Sequence, residues 1–449
     1  RRIAAFVCGV WVLSAIAAPC SPAHAVEPAA SREAVVAEAI KGKLTPGLIE
    51  KYCSYAESHA RAAESAAGLP DEFWQWLDAT PTVREGVLVG MDWSHAGQVA
   101  CRLAELHRMC GADVQRFPQL AIAFALVYGR AGDESIRQLD WVAKDRPVPA
   151  MVDSFRYFAS HVDAMLFPLK STPWPLLVHV ADNDVPLAER EWVLAKYRGR
   201  SLESLGRLHS DPHYERGASA RKMARQEGVP MALPRILAEG GVCSQKAYYA
   251  AAVLKTLGVP AFRLVGAHHA WEGWCVPGQP CRVVYATALG RKSGRMKCPL
   301  GRQAVWQHEV EMRVAAVAES YAGYLEARAA AAAYALVPPG QRPEAVRLLW
   351  AALERNPHCT EAWRSLAQAC ASGVLADAEA GKVYPASLRI LADHPRMTCE
   401  IFATVMAPTL RNTANVEEHA LADVCRTMER EATRYEQRTR DDLGAELRN

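Results

Sequence analysis

The stretch that most constrains this chain runs from Gly240 to Trp274. It opens with Gly240-Gly241-Val242-Cys243-Ser244-Gln245-Lys246-Ala247-Tyr248-Tyr249, continues through Leu257-Gly258-Val259-Pro260-Ala261, and reaches His268-His269-Ala270-Trp271-Glu272-Gly273-Trp274. The two glycines permit a tight backbone approach just before Cys243. Ala247, Ala251 and Leu254 then share one helical face, and Gly258-Val259-Pro260 stops the helix. Cys243 is therefore expected at a helix N-terminus, where free N–H groups and the helix dipole favour a thiolate. Phe262-Arg263-Leu264-Val265 reads as a strand, and His269-Ala270-Trp271 opens the next. A helix-borne thiol facing a strand-borne imidazole is the arrangement nucleophilic cysteine chemistry needs.

These residues resemble the transglutaminase-like superfamily: Gly-Gly-Val-Cys opening a helix, Leu-Gly-Val-Pro-Ala closing it, and His-Ala-Trp on a following strand. The resemblance is closest from about 235 to 274 and extends over about 154 to 300. It implies an α+β, papain-like core, in which a helix bearing the cysteine packs on an antiparallel sheet. It also implies Cys243 as nucleophile and His269 as base. Strand alternation sends His268 to the other face.

The family's third member is an acid on the next strand, here Arg282-Val283-Val284-Tyr285-Ala286-Thr287, and this chain departs from that pattern. Neither Tyr285 nor Ala286 is acidic, and no Asp or Asn occurs between Asp211 and Asn356. Glu272 lies three residues beyond His269, so it should point to the opposite face of the strand. Asp211 or Glu215 would have to reach in from upstream. Changing the triad acid costs a serine enzyme about 10⁴-fold in rate, roughly 5 kcal/mol of barrier. A thiolate is the better intrinsic nucleophile, so a Cys–His dyad tolerates the loss better. Candidates for the cleft or oxyanion hole are Trp271, Tyr214 and Gln245, with Trp192 and Trp274 beside them; for the aromatics a core role competes.

Arg1-Arg2, an apolar run from Ile3 to Ala18 and Ala23-His24-Ala25 fit a secretory signal peptide, residues 1–25, cleaved after Ala25. The run is short for a membrane span, and no later stretch is long and apolar enough for one. The expectation is a secreted or periplasmic protein with no span in its mature chain. Net charge is +3 and half the residues are hydrophobic, so nothing points to nucleic acid and a sizeable core is affordable. Of thirteen cysteines, Cys8 and Cys20 precede the cleavage point, which leaves eleven. An odd number fits one reactive thiol, Cys243, beside up to five bridges, with Cys101–Cys110 and Cys275–Cys281 as short-range candidates. Several buried free thiols are the competing reading. A zinc site drawn from Cys243, His268, His269, Cys275, Cys281 and Cys298 lacks paired Cys-x₂₋₄-Cys clips, so neither a metal nor another cofactor is expected.

Residues 26–150 read as a helical lead-in region. Val99, Leu103, Leu106 and Cys110 form one helix face, and 118–127 reads as a buried helix. The resemblance places a transglutaminase-like core in residues 151–300. Residues 301–449 read as helical, and Ala345, Leu349, Ala352 and Pro357 followed by Trp363, Leu366 and Ala367 resemble one tetratricopeptide-type junction. A peptide or protein substrate at Cys243 and a protein partner on the helical repeats are the partners this reading implies. Two functions follow as expectations. One is cysteine-dependent acyl transfer or hydrolysis on peptide or protein amides. The other is a catalytically impaired module that keeps the fold for binding or assembly.

Overall fold

The computed structural model describes residues 29–131, 147–214, 232–266, 269–278, 281–286, 294–300, 304–375 and 377–412. The expected signal peptide, His268, Glu215 and the charged tail after Met428 lie outside them. Within them the fold is α+β, with eighteen α-helices and one five-stranded antiparallel sheet of order β3-β2-β1-β4-β5.

The lead-in helices are α1 (Ala29–Ala39), α2 (Pro46–Ala62), α3 (Asp71–Asp78), α4 (Pro81–Gly90), α5 (Ala96–Arg116) and α6 (Pro118–Ala131). Val99, Leu103, Leu106 and Cys110 form the buried face of α5, which kinks at Cys110. In α6, every residue from Leu120 to Leu126 is fully buried. Gly129 lets α6 approach α5 closely, because a Cβ there would lie 2.7 Å from the Val99 Cα.

Four helices lead into the sheet region: α7 (Met151–Ser160), α8 (Trp174–Ala181), α9 (Leu187–Tyr197) and the single turn α10 (Leu202–Leu205). They are followed by α11 (Leu233–Glu239), α12 (Cys243–Thr256), β1 (Ala261–Val265), β2 (Ala270–Val276), β3 (Arg282–Tyr285), β4 (Arg295–Lys297) and β5 (Ala304–Trp306). Helix α12 ends where Gly258, at φ +78°, turns the chain back into β1. Strands β1 and β2 pair from Ala261↔Trp274 to Val265↔Ala270, and β2 pairs β3 from Gly273↔Tyr285 to Val276↔Arg282.

The pairing separates the two faces of the sheet. Arg263 and Glu272 are cross-strand partners, so their side chains share a face. Arg263 Nη1 donates to Ser244 Oγ at 3.0 Å, which puts α12 over that face. The other face carries Phe262, Trp271 and Tyr285. Helix α8 covers part of it, the His179 ring lying 5.4 Å from that of Phe262. Helix α13 (Gln307–Glu319) packs at β3 and β5, with Glu311 accepting from the Tyr285 hydroxyl.

The remaining helices are α14 (Tyr321–Leu336), α15 (Arg342–Arg355), α16 (Thr360–Ala371), α17 (Asp377–Ile390) and α18 (Pro395–Asn412). Trp350 of α15 meets Trp363 of α16 edge-on at 6.5 Å, at the junction singled out in the sequence. Arg328 of α14 ties this region to the lead-in helices. It donates to the carbonyls of Val89 and Gly90, lies over the Trp174 ring and pairs with Glu361. One hydrophobic core runs from Val35 to Ile401 through all three regions. Among the described residues no helix is long and apolar enough to cross a membrane.

Candidate functional site at the start of helix α12

The turn into α12 is built by two glycines and the strand beside them. Gly240 sits at φ +77°, and a Cβ on it would lie 2.7 Å from the His213 ring and carbonyl. Only glycine meets both demands without strain. Gly241 N–H donates to the His213 carbonyl at 3.1 Å, and Tyr214 forms a parallel bridge with Gly241. Gln245 Oε1 then accepts from the Val242 N–H at 2.9 Å, closing the first turn. Cys243 is thereby the first residue of α12, half-buried and a free thiol. Among the described residues its sulfur makes no hydrogen bond.

His269 stands immediately before β2, and its carbonyl accepts from the Gly266 N–H at 2.9 Å. Because the chain folds back from α12 into β1, this end of the β1–β2 hairpin is the end at which α12 begins. The His269 ring lies 6.3 Å from Trp271, nearly parallel to it, and 6.3 Å from the ring of His209.

The other sequence candidates separate. Gln245 is buried and its oxygen serves the helix cap. Tyr214 is half exposed beside the turn, with the Lys246 ammonium 5.9 Å from its ring. Trp271 is buried on the sheet face turned away from α12, packed toward Leu264 and Gly294, so it belongs to the core. Trp274 points to Gly206, just after α10. Trp192 lies on α9 beside Tyr197. Asp211 is engaged by the Tyr197 hydroxyl at 3.4 Å. In β3, Tyr285 occupies the place where an acid was expected, and it donates to Glu311.

An imidazole that the sequence did not single out completes the cluster. Glu272 is 1% exposed, points to the α12 face, and accepts from His209 Nδ1 at 2.7 Å. Burial pushes the Glu272 carboxyl up, against the opposing pull of His209 and Lys246. Lys246, one turn into α12, is likewise buried, and the loss of water pushes its ammonium down while Glu272 holds it up. His209 comes from the short 3₁₀ turn Leu208–Ser210, which packs on α12. No motif marks it. The one signal in the sequence was that a carboxylate on a buried strand needs a partner.

Cys275 and Cys281 also meet. The Cys275 thiol is pushed up by its hydrogen bond with Cys281 and by burial, while the Cys281 thiol is pushed down by the same bond. Cys101 instead donates to the Ser65 carbonyl at 2.8 Å, on the same helix as Cys110. The ten described cysteines are all free thiols. Among the described residues no three His, Cys, Asp or Glu side chains converge to hold a metal ion.

The described geometry thus has a thiol at the start of α12, the His269 imidazole just before β2, and beside His269 a second imidazole, His209, anchored to the buried Glu272. Compared with protein-family models, curated proteins and solved structures, the chain matches none.

Proposed function

We propose that this is an exported, transglutaminase-like cysteine protein that transfers or hydrolyses acyl groups of peptide or protein amides. The observation that carries the reading is Cys243 as the first residue of α12, at the end of the sheet where His269 enters β2. In the reaction the Cys243 sulfur attacks the amide carbonyl carbon while His269 takes the thiol proton. The proton goes to the leaving amine as the C–N bond breaks, and a thioester remains. Water or a second amine then attacks the thioester, His269 removes its proton, and the thiol is restored. The N–H groups at the start of α12 would receive the developing oxyanion. Tyr214, half exposed beside the turn, is the side chain best placed to meet the substrate.

The test is the pH dependence of Cys243 alkylation, read by peptide mapping, in the wild type and in a His269→Ala variant. Fast reaction at about pH 6, slowed in the variant, is the expected result for an activated thiol. A thiol that reacts like free cysteine in both proteins would refute the catalytic reading.

A second reading rests on Tyr285. The strand that should supply the orienting acid gives its hydroxyl to Glu311 instead. On that basis the fold would serve as a binding module, with α14 to α18 carrying recognition of a protein partner. An inert Cys243 in the same experiment favours it.

A further inference from the structure

We infer that His209, held by the buried Glu272, is a positioning residue for His269, so that the acid missing from β3 enters the site from β2 through a second imidazole. The inference rests on the catalytic reading above and assigns two residues to it. Three observations carry it. Glu272 is a carboxylate on a central strand with almost no exposure, and the structure gives it one imidazole partner, His209 Nδ1 at 2.7 Å. In that contact a neutral His209 donates its Nδ1–H to Glu272, which leaves Nε2 as an acceptor. The rings of His209 and His269 are 6.3 Å apart, close enough for one bridging water or a small ring rotation to join them.

Glu272 lies on the α12 face, with Arg263 opposite it, and it reaches no hydrogen bond to His269 among the described residues. The chain meets the geometric mismatch by inserting His209 from a different element, the turn that packs against α12. An orienting acid acts by holding the base in one tautomer and by stabilising its cation. A Glu272–His209 pair can do both at one remove, since an N–H of His269 can donate to His209 Nε2. The charged and titratable groups that face the pair are Arg263, opposite Glu272 on β1, Lys246 on α12 and His269 itself.

The experiment is the alkylation profile of Cys243 in Glu272→Gln, His209→Gln and the double variant, run beside wild type and His269→Ala. If the pair acts as inferred, each single variant slows Cys243 alkylation near neutral pH by about 10- to 100-fold, as when an imidazole loses its outer partner. The low-pH limb of the profile moves in each, and the double variant is no worse than either single one. Profiles that match wild type in both single variants, while His269→Ala is slow, would overturn the inference and leave the catalytic reading standing. A profile insensitive to His269→Ala would remove both. Where Glu272→Gln fails to fold, the imidazole nitrogen resonances of the wild-type protein decide. His209 should show an Nδ1–H tautomer, and both His209 and His269 should shift when Cys243 is alkylated. A His209 signal that ignores alkylation overturns the inference.

Discussion

At the scale of single residues, the position of Cys243 depends on a backbone conformation rather than on a side-chain contact. Gly240 carries a positive φ and lies against His213, so Gly240→Ala adds both backbone strain and a steric overlap. The expected loss is about 2 kcal/mol in thermal or urea unfolding, together with altered Cys243 alkylation because the helix start is displaced. A variant as stable as wild type would show that the turn relaxes freely. Cys275 and Cys281 offer a second residue-scale test. Their thiols already share a hydrogen bond, so mild oxidation by a disulfide exchange reagent should bridge them before any other described pair. Peptide mapping that finds both alkylated after oxidation would oppose this.

At the scale of elements, α12 is anchored at its far end by buried polar contacts. Lys255, in its last turn, donates to the carbonyl and carboxylate of Asp182, and both side chains are 3% exposed. Asn183 Nδ2 donates to Thr256 Oγ1 at 3.3 Å, and the fully buried Arg190 donates to the carbonyls of Asn183 and Val185. Asp182→Asn leaves the Lys255 charge buried without its counter-charge and should cost about 3 kcal/mol. Adding Lys255→Met should recover part of that loss, which a double-mutant cycle in urea would measure. Much of this element could be read from the sequence. Ala247, Ala251 and Leu254 gave its buried side, and Gly258 its end. The strands at Phe262 and Ala270 followed from the apolar run and the turn between them. The anchors were not legible, because Lys255, Asp182 and Arg190 are distant in sequence and carry no motif. His209 was missed for the same reason: the partner of a buried charge is chosen by tertiary packing, which a local pattern does not encode. The place of Trp271 was open in the sequence, since a strand aromatic serves a cleft or a core equally well until the sheet's covered face is known.

At the scale of the whole molecule, two charge networks bind the C-terminal helices to the rest. Arg328 reaches α4, α8 and α16 from α14, so Arg328→Ala should cost about 3 kcal/mol and lower the single unfolding midpoint. Two separate transitions in the wild type would contradict the one continuous core. The second network is Glu400 of α18 with His308 of α13 and Arg364 of α16. Burial raises the Glu400 carboxyl, but His308 and Arg364 outweigh it and hold it down to about 2. A carboxylate depressed in the folded state contributes stability that is present above its unfolded value, about 4.3. That contribution is lost as pH falls from there toward about 2. Stability measured between pH 5 and pH 2 should therefore fall less steeply in Glu400→Gln than in wild type; equal slopes would exclude this group from acid unfolding.

The back of the sheet carries a practical consequence. Helix α13, which follows β5 directly, lies against Tyr285 of β3, while α8 lies against Phe262 of β1. A fragment ending at residue 300 would keep the cysteine, both histidines and Glu272, yet expose that surface to water. Such a truncated piece would self-associate rather than report on the chemistry, and any minimal version of the site has to carry α13 with it.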